Sequence, residues 1–390
     1  MSGKLSSRIV DAIRSVVGTR PVGLHEPTFV GNELSYLKEC IETTYVASKG
    51  SFIERFESYL SEYTGSRFVV AVSSGTAALH VSLVLAGVEA NDEVLIPDIT
   101  FVATANAVTY CGAYPHIVDC EEENLGLDVP KLKRYLEDNT EQRSGVCVNK
   151  NTQRVIKAIV PMHVFGHPVE LDSLLEVAHN HQIKLIEDAA EALGSFYQGK
   201  HVGCFGLMGA LSFNGNKVLT TGGGGAILTD HKELGERARH LSRTARVEHP
   251  WNYDHDEVGF NYRLPNLNAA LGCAQMEQLE YFLAAKRRLF GRYQGAFHGI
   301  PGLRMIEEPP TSKSNYWLQT LMLDGEYAGE RDNVLAVANE HGYQTRPIWR
   351  PMSDLAVYGH CPRMENLTSK TLAARAPNIP SSPGIDKDVR

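Results

Sequence analysis

The chain has 390 residues, of which 43% are hydrophobic and 22% charged, and its formal net charge is −8. These values are ordinary for a globular protein with a sizeable core, and the acidic balance argues against a general nucleic-acid-binding surface. The seven cysteines include no Cys-x-x-Cys pair, which predicts reduced thiols and argues against a disulfide framework or a zinc site. No stretch has the length of a transmembrane helix or the apolar core of a secretion signal, so we expect a cytoplasmic protein without membrane insertion.

A mostly parallel sheet is predicted over the first two thirds of the chain. After a helical pattern in residues 1–20, helical segments alternate with short β-branched runs from about residue 35 to 245. Strands are predicted at Phe68–Val72, 93–96, 117–118, 156–160, 183–186, 211–213 and 226–228. Buried strands separated by helices indicate an α/β fold in which helices cover both faces of a parallel or mixed sheet.

Beyond residue 250 the pattern changes to that of a smaller α+β domain. Its predicted elements are a helix at 267–288, a strand at 316–323, a helix at 333–341 and an extended proline-rich tail at 376–383. We therefore predict a large domain over 26–250 and a small C-terminal domain over 251–390. The helix in residues 1–25 is expected to pack on the small domain or at a dimer contact.

A candidate phosphate loop, Ser73-Ser-Gly-Thr-Ala-Ala-Leu79, follows the first predicted strand and opens a helix. Free N–H groups at a helix start favour an anion, Gly75 allows close approach of the backbone, and Thr76 adds a hydroxyl donor. The alternative is simple helix capping by serine or threonine. A Gly-Lys-Ser/Thr ending is missing, which disfavours a nucleoside triphosphate.

Acidic residues lie at the end of another predicted strand, in Ile183-Lys-Leu-Ile-Glu-Asp-Ala-Ala-Glu191. Ligands of open α/β sheets collect at this edge, and a carboxylate such as Asp188 can hold a pyridinium nitrogen in its charged form. The alternative role for Asp188 is to cap a following helix.

Two further strand ends carry candidate site residues. Phe101 lies just past the strand at 93–96 and could stack on a flat aromatic cofactor, although an isolated phenylalanine is more often part of the core. Lys217 follows the strand at 211–213 and precedes the glycines 222–225, which favour a tight connection beneath a ligand over a dinucleotide fingerprint. A lysine at the end of a rigid element suits a Schiff base, whereas the alternative is a surface lysine beside a flexible turn.

Histidines 163, 167 and 255 lack the spacing of a recognised metal site, so no metal is predicted, and His255 with Asp256 and Glu257 is interpreted as a charged loop cluster.

Together, a phosphate loop, an aromatic residue, an acid and a lysine in this order resemble fold-type-I pyridoxal-phosphate enzymes. More narrowly, the chain resembles the nucleotide-sugar aminotransferases of the DegT/DnrJ/EryC1 family along nearly its whole length. The segments that carry the resemblance are Gly50-Ser-Phe-Ile-Glu-Arg-Phe56, Ser74-Gly-Thr-Ala-Ala-Leu79, Thr100-Phe-Val-Ala-Thr-Ala-Asn106, Glu187-Asp-Ala-Ala190, Leu211-Ser-Phe213 with Lys217, and Gly259-Phe-Asn-Tyr-Arg263.

The resemblance implies pyridoxal 5′-phosphate as cofactor and a role for each matching residue. Gly75, Thr76 and Ser212 are expected to bind its phosphate, Phe101 to stack on its ring, and Asp188 to pair with its ring nitrogen. Lys217 is expected to form the Schiff base and then to move a proton between substrate and cofactor. Related dehydratases carry histidine at that position, so the lysine favours transamination.

Two matches concern the surroundings of the ring and the partner subunit. Many members carry glutamine or histidine near the cofactor's phenolic oxygen where this chain has Glu191, and a charged glutamate there would repel a phenolate unless it were protonated or turned away. Asn261 is expected to reach the cofactor phosphate of the neighbouring subunit, which makes a homodimer with shared active sites the functional unit.

Three segments resemble the subgroup tied to legionaminic acid biosynthesis. They are Pro161-Met-His-Val-Phe-Gly-His-Pro168, Ser212-Phe-Asn-Gly-Asn-Lys217, and His249-Pro-Trp-Asn-Tyr253 with Pro265-Asn-Leu-Asn-Ala-Ala270. The implied reaction transfers the amino group of L-glutamate to C4 of a UDP-linked 2-acetamido-2,6-dideoxy-4-hexulose. Arg263 or Arg346 could bind the donor carboxylate or the sugar diphosphate.

Three alternatives remain open at this point. They are an aminotransferase for another nucleotide-linked 3- or 4-keto sugar, a catalytically silent regulator with the same fold, and a nicotinamide-dependent sugar oxidoreductase. The last is disfavoured by the glycine run.

Overall fold

The computed structural model describes residues 2–386. Its strands are β1 Phe68–Val72, β2 Glu93–Pro97, β3 Tyr114–Val118, β4 Thr140–Arg143, β5 Val146–Asn149, β6 Ile156–Ile159, β7 Lys184–Asp188, β8 Phe196–Tyr197, β9 Lys200–His201, β10 Met208–Ser212, β11 Gly225–Thr229, β12 Leu303–Met305, β13 Ser312–Lys313, β14 Gln319–Leu323, β15 Arg346–Pro347 and β16 Pro377–Ile379. Its helices are α1 Ser2–Val17, α2 Glu33–Glu42, α3 Ser51–Thr64, α4 Gly75–Leu85, α5 Val102–Tyr110, α6 Val129–Asn139, α7 Leu171–Asn180, α8 Lys232–Ser242, α9 Asn266–Met276, α10 Leu279–Phe297, α11 Arg331–Glu340 and α12 Leu367–Arg375.

A seven-stranded sheet in the order β1-β11-β10-β7-β6-β2-β3 organises the large part of the molecule. The strands from β10 to β3 pair in parallel, whereas β11 is antiparallel to both β10 and β1. Consequently β1 runs in the same direction as the parallel strands. Their carboxyl ends therefore meet at one edge of the sheet.

Both faces of this sheet are covered by apolar cores. In β1, Val69 and Ala71 belong to one buried cluster and Val70 and Val72 to another, as the alternation of side chains along a strand requires. Helices α4 and α5 contribute to the second cluster, and α3 and α7 to the first. The predicted fold class, a mostly parallel mixed sheet between helices, is confirmed.

A smaller antiparallel sheet, β12-β14-β16-β15, lies in the C-terminal part of the chain. Helix α1 packs against α10 and α11 beside this sheet, through buried residues that include Ile9 and Ile13. Helix α9 packs against α2 and α3. The division of the chain at residue 250 stays a prediction.

Three predicted elements differ in detail from the structure. The helix predicted at 267–288 is two helices, α9 and α10, which separate where the Glu277 carboxylate accepts hydrogen bonds from Asn32, Tyr36 and Arg55. The strand predicted from residue 316 begins at Gln319, because Tyr316 has a φ of 48°, outside the extended region.

The third difference concerns the proline-rich tail, which contributes a central strand. Its residues Pro377–Ile379 form β16, which pairs with both β14 and β15. The neighbouring strands β14 and β15 pair with the other backbone groups of β16. A proline, which has no N–H to donate, is therefore tolerated in the first position of this strand.

Within residues 2–386, no helix is both long and apolar enough to cross a membrane. All seven cysteines are free thiols.

Candidate active site

Four segments singled out from the sequence converge on the carboxyl edge of the large sheet. The loop Ser73–Thr76 follows β1, Phe101 follows β2, Asp188 ends β7, and Ser212 ends β10, with Lys217 five residues further on. Residue 210 of β10 pairs directly with Asp188 of β7. The fold thus brings together residues that are up to about 145 positions apart in the chain, as expected for a ligand site of an open α/β sheet.

The phosphate loop is packed tightly against the ends of β10 and β11. Ser74 caps α4, since its hydroxyl accepts a hydrogen bond from the Ala77 N–H at 3.1 Å. A Cβ on Gly75 would lie 2.8 Å from Cβ of Ser212, and a Cβ on Gly225 would lie 2.5 Å from the carbonyl of Ser74. The glycines therefore let the helix start approach Ser212, and capping by Ser74 coexists with a helix terminus suited to an anion.

Asp188 is a buried carboxylate at the end of β7, with 2% of its surface exposed. One oxygen accepts a hydrogen bond from the Thr104 hydroxyl at 2.7 Å, and the other accepts one from the Ala190 N–H at 3.2 Å. Burial raises its pKa, while these donors and the charge of Lys217 act in the opposite direction. No helix begins at Asp188, because residues 189–195 form turns, so helix capping is not its role.

Lys217 lies after β10 in a turn, where its N–H donates to the Asn214 carbonyl. Its Nζ lies 3.0 Å from Oε1 of Glu191 and 4.0 Å from the centre of the Trp317 ring. Only 12% of the side chain is exposed. The amine is therefore held inside the site, which contradicts the alternative of a surface lysine.

Glu191 is the partner of Lys217 and is equally buried, at 3% exposure. Its second oxygen accepts a hydrogen bond from the Phe165 N–H at 3.0 Å. Burial raises the pKa of Glu191 to about 7, even though the charge of Lys217 lowers it. The carboxyl group is thus poised to gain or lose a proton near neutral pH, and it faces the lysine instead of turning away.

Phe101 immediately precedes α5 and is 49% exposed, so it is not a core residue. Its ring lies 6.1 Å from that of Trp349, which lies 4.7 Å from Phe165, which in turn lies 6.1 Å from Trp317. We call these four residues the aromatic wall. The wall runs from Phe101 to the indole ring beneath Nζ of Lys217.

Asn261 and Arg263 lie on the surface beside the end of β1. The Asn261 side-chain oxygen accepts two hydrogen bonds from Arg263, and the Tyr262 carbonyl between them accepts one from the Ser73 N–H at 2.7 Å. Arg346, in β15, instead donates to the Thr345 carbonyl at 2.8 Å. The structure therefore places Arg263, but not Arg346, next to the phosphate loop.

A cleft of about 1010 Å³ borders this surface, and we call it the arginine cleft. Its basic lining residues are Lys49, Arg239, Arg243, Arg246 and Arg263. Arg239 is paired with Glu57. Burial and the charge of Arg239 lower the pKa of Arg243, so its guanidinium lies in a site that an anion would stabilise.

Two of the three histidines considered for a metal site, His163 and His255, have other partners, whereas both ring nitrogens of the buried His167 have no hydrogen-bond partner within residues 2–386. His163 accepts a hydrogen bond from the Val169 N–H on Nδ1, so its Nε2 donates to buried Glu187 at 3.2 Å. His255 contacts the Thr244 carbonyl, and it is His240 that joins Asp256 and Glu257 in a group with metal-ligand spacing. Arg237 contacts Glu257 in the same group, which makes it a partly exposed ion-pair cluster.

Several site residues were not predicted from the sequence. Thr104 was visible only as part of a longer segment, and Phe165 only as part of the segment 161–168. Trp317 and Trp349 come from loops with no motif. Only the structure shows that Trp317 lies against Lys217 and that Phe165 and Trp349 continue from it.

The sheet order, the phosphate loop, the buried strand-end acid and the buried lysine define a fold-type-I enzyme that depends on pyridoxal 5′-phosphate. The residues fit this cofactor, because the close approach at Gly75 and Gly225 sets the start of α4 beside Ser212, and because the buried Asp188 has no cationic hydrogen-bond partner within residues 2–386.

Comparison with known proteins defines the class further. Residues 27–389 match the model of the DegT/DnrJ/EryC1/StrS aminotransferase family. The chain therefore belongs to this family, and it is a nucleotide-sugar aminotransferase.

Relatives and solved structures agree with this assignment. The GDP-perosamine synthase of Caulobacter vibrioides is 35% identical over 93% of this chain and 94% of its own length. That of Vibrio cholerae is 33% identical over 94% of this chain and 95% of its own. The crystal structure of the aminotransferase TlmJ from Streptoalloteichus hindustanus is 25% identical and superposes with a TM-score of 0.84, covering 95% of this chain and 96% of that chain.

Proposed function

We propose that the protein transfers the amino group of L-glutamate to C4 of a UDP-linked 2-acetamido-2,6-dideoxy-4-hexulose. The product would serve the synthesis of legionaminic acid or a related surface glycan. The observation that carries the amine transfer is the contact of Lys217 with Glu191 and Trp317 at the sheet edge that also holds Asp188. Two of the segments that resemble the legionaminic acid subgroup meet there, because Glu191 contacts both Phe165 of one segment and Lys217 of the other.

Each residue at this edge has a distinct proposed role. Bound pyridoxal phosphate supplies an electron sink for the carbon that carries the amino group. The N–H groups of Gly75 and Thr76, with the Ser212 hydroxyl, hold its phosphate at the start of α4. Asp188 keeps a proton on the ring nitrogen, and Phe101 covers the ring from the open side.

The proposed proton carrier is Lys217, whose Nζ would move a proton between the substrate carbon and the cofactor, away from the donor carbon in one half-reaction and onto the acceptor sugar carbon in the other. Glu191 holds this amine in place through the 3.0 Å contact. Because the pKa of Glu191 is raised to about 7, its carboxyl group can release or accept a proton when the charge on the lysine changes. A protonated Glu191 would then donate to the cofactor's phenolic oxygen instead of repelling it.

A GDP-linked 4-keto sugar is a second candidate acceptor, because the relatives at 33–35% identity are named GDP-perosamine synthases. The arginine cleft supports recognition of a nucleotide diphosphate of either kind, since guanidinium groups bind phosphate in a bidentate manner. Arg263 is the proposed contact to the diphosphate, because it lines this cleft and Arg346 does not.

The proposed functional unit is a homodimer in which Asn261 reaches the partner's cofactor phosphate. Exposed apolar side chains support this proposal, since contiguous exposed apolar surface usually marks an interface. They occur in two segments that flank the arginine cleft, Phe29, Val30, Leu34, Ile41, Tyr45 and Val46 in one and Val247, Trp251, Tyr253 and Val258 in the other. The cytoplasmic location stays a prediction.

An amine-transfer assay tests the function. The purified enzyme with pyridoxal phosphate and glutamate is offered the UDP-linked acetamido keto sugar, GDP-linked 4-keto-6-deoxymannose and 3-keto sugar nucleotides, and the products are analysed by mass spectrometry and NMR. Amination at C4 of the UDP-linked sugar is the expected result. Turnover of the GDP-linked sugar alone would replace the proposed acceptor, and cofactor binding without any turnover would contradict the function.

Borohydride reduction of the loaded enzyme, followed by peptide mapping, tests the site itself. The expected pyridoxyl group is on Lys217. A pyridoxyl group on another lysine would overturn the assignment of roles at the sheet edge.

A further inference from the structure

The segment that links α1 to α2, residues 18–32, crosses the molecule next to the active site, and we call it the strap. Its backbone is fixed at several points. The Val22 carbonyl accepts from the Gln344 N–H, the Leu24 carbonyl accepts from the Ser381 N–H at 2.7 Å, and the Glu26 N–H donates to the Ser382 hydroxyl at 2.8 Å. These bonds on both sides of His25 set the position of that residue.

The side chain of His25 has no such partner. It is 91% buried, since its exposure is 9%, and neither ring nitrogen has a hydrogen-bond partner within the described part of the chain. Buried polar atoms are normally hydrogen-bonded, and leaving one unpaired is costly. The unpaired imidazole on a firmly anchored backbone therefore leaves a donor and an acceptor available to a ligand.

The surroundings of His25 keep its ring neutral. Burial lowers its pKa well below the ordinary value, and the charges of Lys286 and Lys217 act in the same direction. Lys286 is itself buried and donates to the carbonyls of Trp317 and Ser381, so it does not contact the imidazole. A neutral imidazole offers one N–H donor and one nitrogen acceptor.

His25 also adjoins the aromatic wall at its Trp317 end. Its ring centre lies 6.3 Å from that of Trp317, the same indole that lies 4.0 Å from Nζ of Lys217. A molecule that reacts at Lys217 thus comes close to His25. Trp317 is itself buried, at 4% exposure, so it fixes the surroundings of His25, while the donor–acceptor pair of the imidazole suits a hydroxyl or acetamido group.

We propose that His25 binds the acceptor sugar, donating a hydrogen bond to one of its polar substituents and accepting one from it. This proposal rests on the proposed function. It assigns His25 to the sugar and not to the amino donor, because the two carboxylates of glutamate call for cationic donors, which a neutral imidazole does not supply. His25 is therefore a residue that distinguishes the two substrates of the enzyme.

The test separates the two half-reactions of His25→Ala. Conversion of the bound cofactor by glutamate is followed by absorbance, and amination of the UDP-linked and GDP-linked 4-keto sugars is followed in a second step. The expected result is an unchanged glutamate step and a KM for the sugar that is raised about tenfold, the effect of one lost uncharged hydrogen bond. His25→Gln keeps a donor and an acceptor, so it should restore part of the affinity for the sugar.

His167→Asn is the matched control, since His167 is also buried with both nitrogens unpaired but lies against Tyr316, not Trp317. Both half-reactions of the His167→Asn enzyme should be unchanged. Equal losses in both half-reactions of the His25 variants, or no loss in either, would overturn the proposal.

A crystal structure of the wild-type enzyme with the accepted sugar nucleotide serves where a variant does not fold. An imidazole nitrogen of His25 within hydrogen-bond distance of the sugar supports the assignment, and a sugar bound away from His25 refutes it. If the wild-type enzyme aminates neither sugar nucleotide, the proposed function fails. If the wild type turns over and the His25 variants match it, only the role of His25 fails.

Discussion

Lys217 and Glu191 form a buried pair in direct contact. The charge of Lys217 lowers the pKa of Glu191 against the larger effect of burial, while Glu191 accepts the hydrogen bond that orients the amine. Exposed to water, such an ion pair would contribute little to stability. Here both side chains are nearly buried, so removing one partner leaves the charge of the other without compensation. Two predictions follow from this contact.

The first prediction concerns the amine. Lys217→Ala should lower the rate of amine transfer by at least on the order of 10²–10⁴, because no other group at the sheet edge replaces the proton carrier. Steady-state assays with glutamate and the accepted sugar measure this effect. Lys184→Ala removes an exposed lysine from β7 and should leave the rate unchanged. A Lys217→Ala enzyme that stays within about tenfold of the wild type would contradict the role of the lysine.

The second prediction concerns pH and the cofactor-free protein. Folding raises the pKa of Glu191 from 4.5 to about 7, so the folded protein holds a proton that the unfolded chain releases. This contribution to stability is complete below pH 4.5 and is lost as the pH rises to about 7, with a difference of roughly 3 kcal/mol in the free energy of unfolding.

Urea unfolding of the cofactor-free wild type and of Glu191→Gln at several pH values between 4.5 and 7 measures this difference. The variant should lose that part of the pH dependence. Glu137→Gln, which changes an exposed carboxylate, is the control and should follow the wild type. Parallel curves for wild type and Glu191→Gln would show that Glu191 does not titrate in this range.

The sequence predicted the site residues that lie within contiguous motifs, but not those that tertiary packing brings in from distant segments. Gly75 and Lys217 come shortly after predicted strands and Asp188 lies at the end of one, so strand prediction and the geometry of parallel sheets placed them at one edge. Trp317 and His25 lie in irregular segments about 100 and 190 residues from Lys217, and nothing local marks them. Their proposed roles depend on tertiary packing, which the local sequence pattern does not indicate.

At the scale of elements, the glycines after Lys217 are explained by the contact of β11 with the phosphate loop. Gly225 is the first residue of β11 and pairs with Val72, so its Cα faces the backbone of Ser74 and Gly75. A side chain at this position would push the start of α4 away from the sheet. The proposed phosphate site depends on this contact.

This contact gives the third prediction. Gly225→Ala should destabilise the protein by about 1–3 kcal/mol, as overpacking does, and should weaken cofactor binding. Thermal unfolding and titration with pyridoxal phosphate measure the two effects. Gly223→Ala is a matched control in the same run, because a Cβ there meets nothing within 4 Å. Equal cofactor affinity in both variants would refute the proposed role of this close approach.

Element boundaries were predicted best where local signals agree with packing. β1 was predicted with its observed bounds, since five apolar residues lie between an exposed Arg67 and the serine of the loop. The division between α9 and α10 was missed because no glycine or proline marks it. Glu277 ends α9 through its bonds to α2 and α3, which is a tertiary cause.

At the scale of the whole molecule, the shared-site dimer gives the fourth prediction. If Asn261 acts across the interface, mixing Lys217→Ala subunits with Asn261→Ala subunits should create one intact site per mixed dimer. Random exchange would then restore about a quarter of wild-type activity, although each variant alone is impaired.

Activity measured after mixing, together with gel filtration, tests this outcome. Lys217→Ala mixed with itself is the control and should stay inactive. A mixture without any recovery, in a preparation shown to exchange subunits, would place Asn261 in its own subunit's site.

The strap is joined to a segment far along the chain, and this sets an order in time. Leu24 and Glu26 are fixed by Ser381 and Ser382, and Lys286 reaches the carbonyl of Ser381. The strap can therefore acquire these contacts only after residues 381 and 382 have been synthesised. Lys217 is synthesised well over a hundred residues before them, and also before Trp317 and Trp349 of the aromatic wall, so the growing chain at first carries this amine without those two indoles.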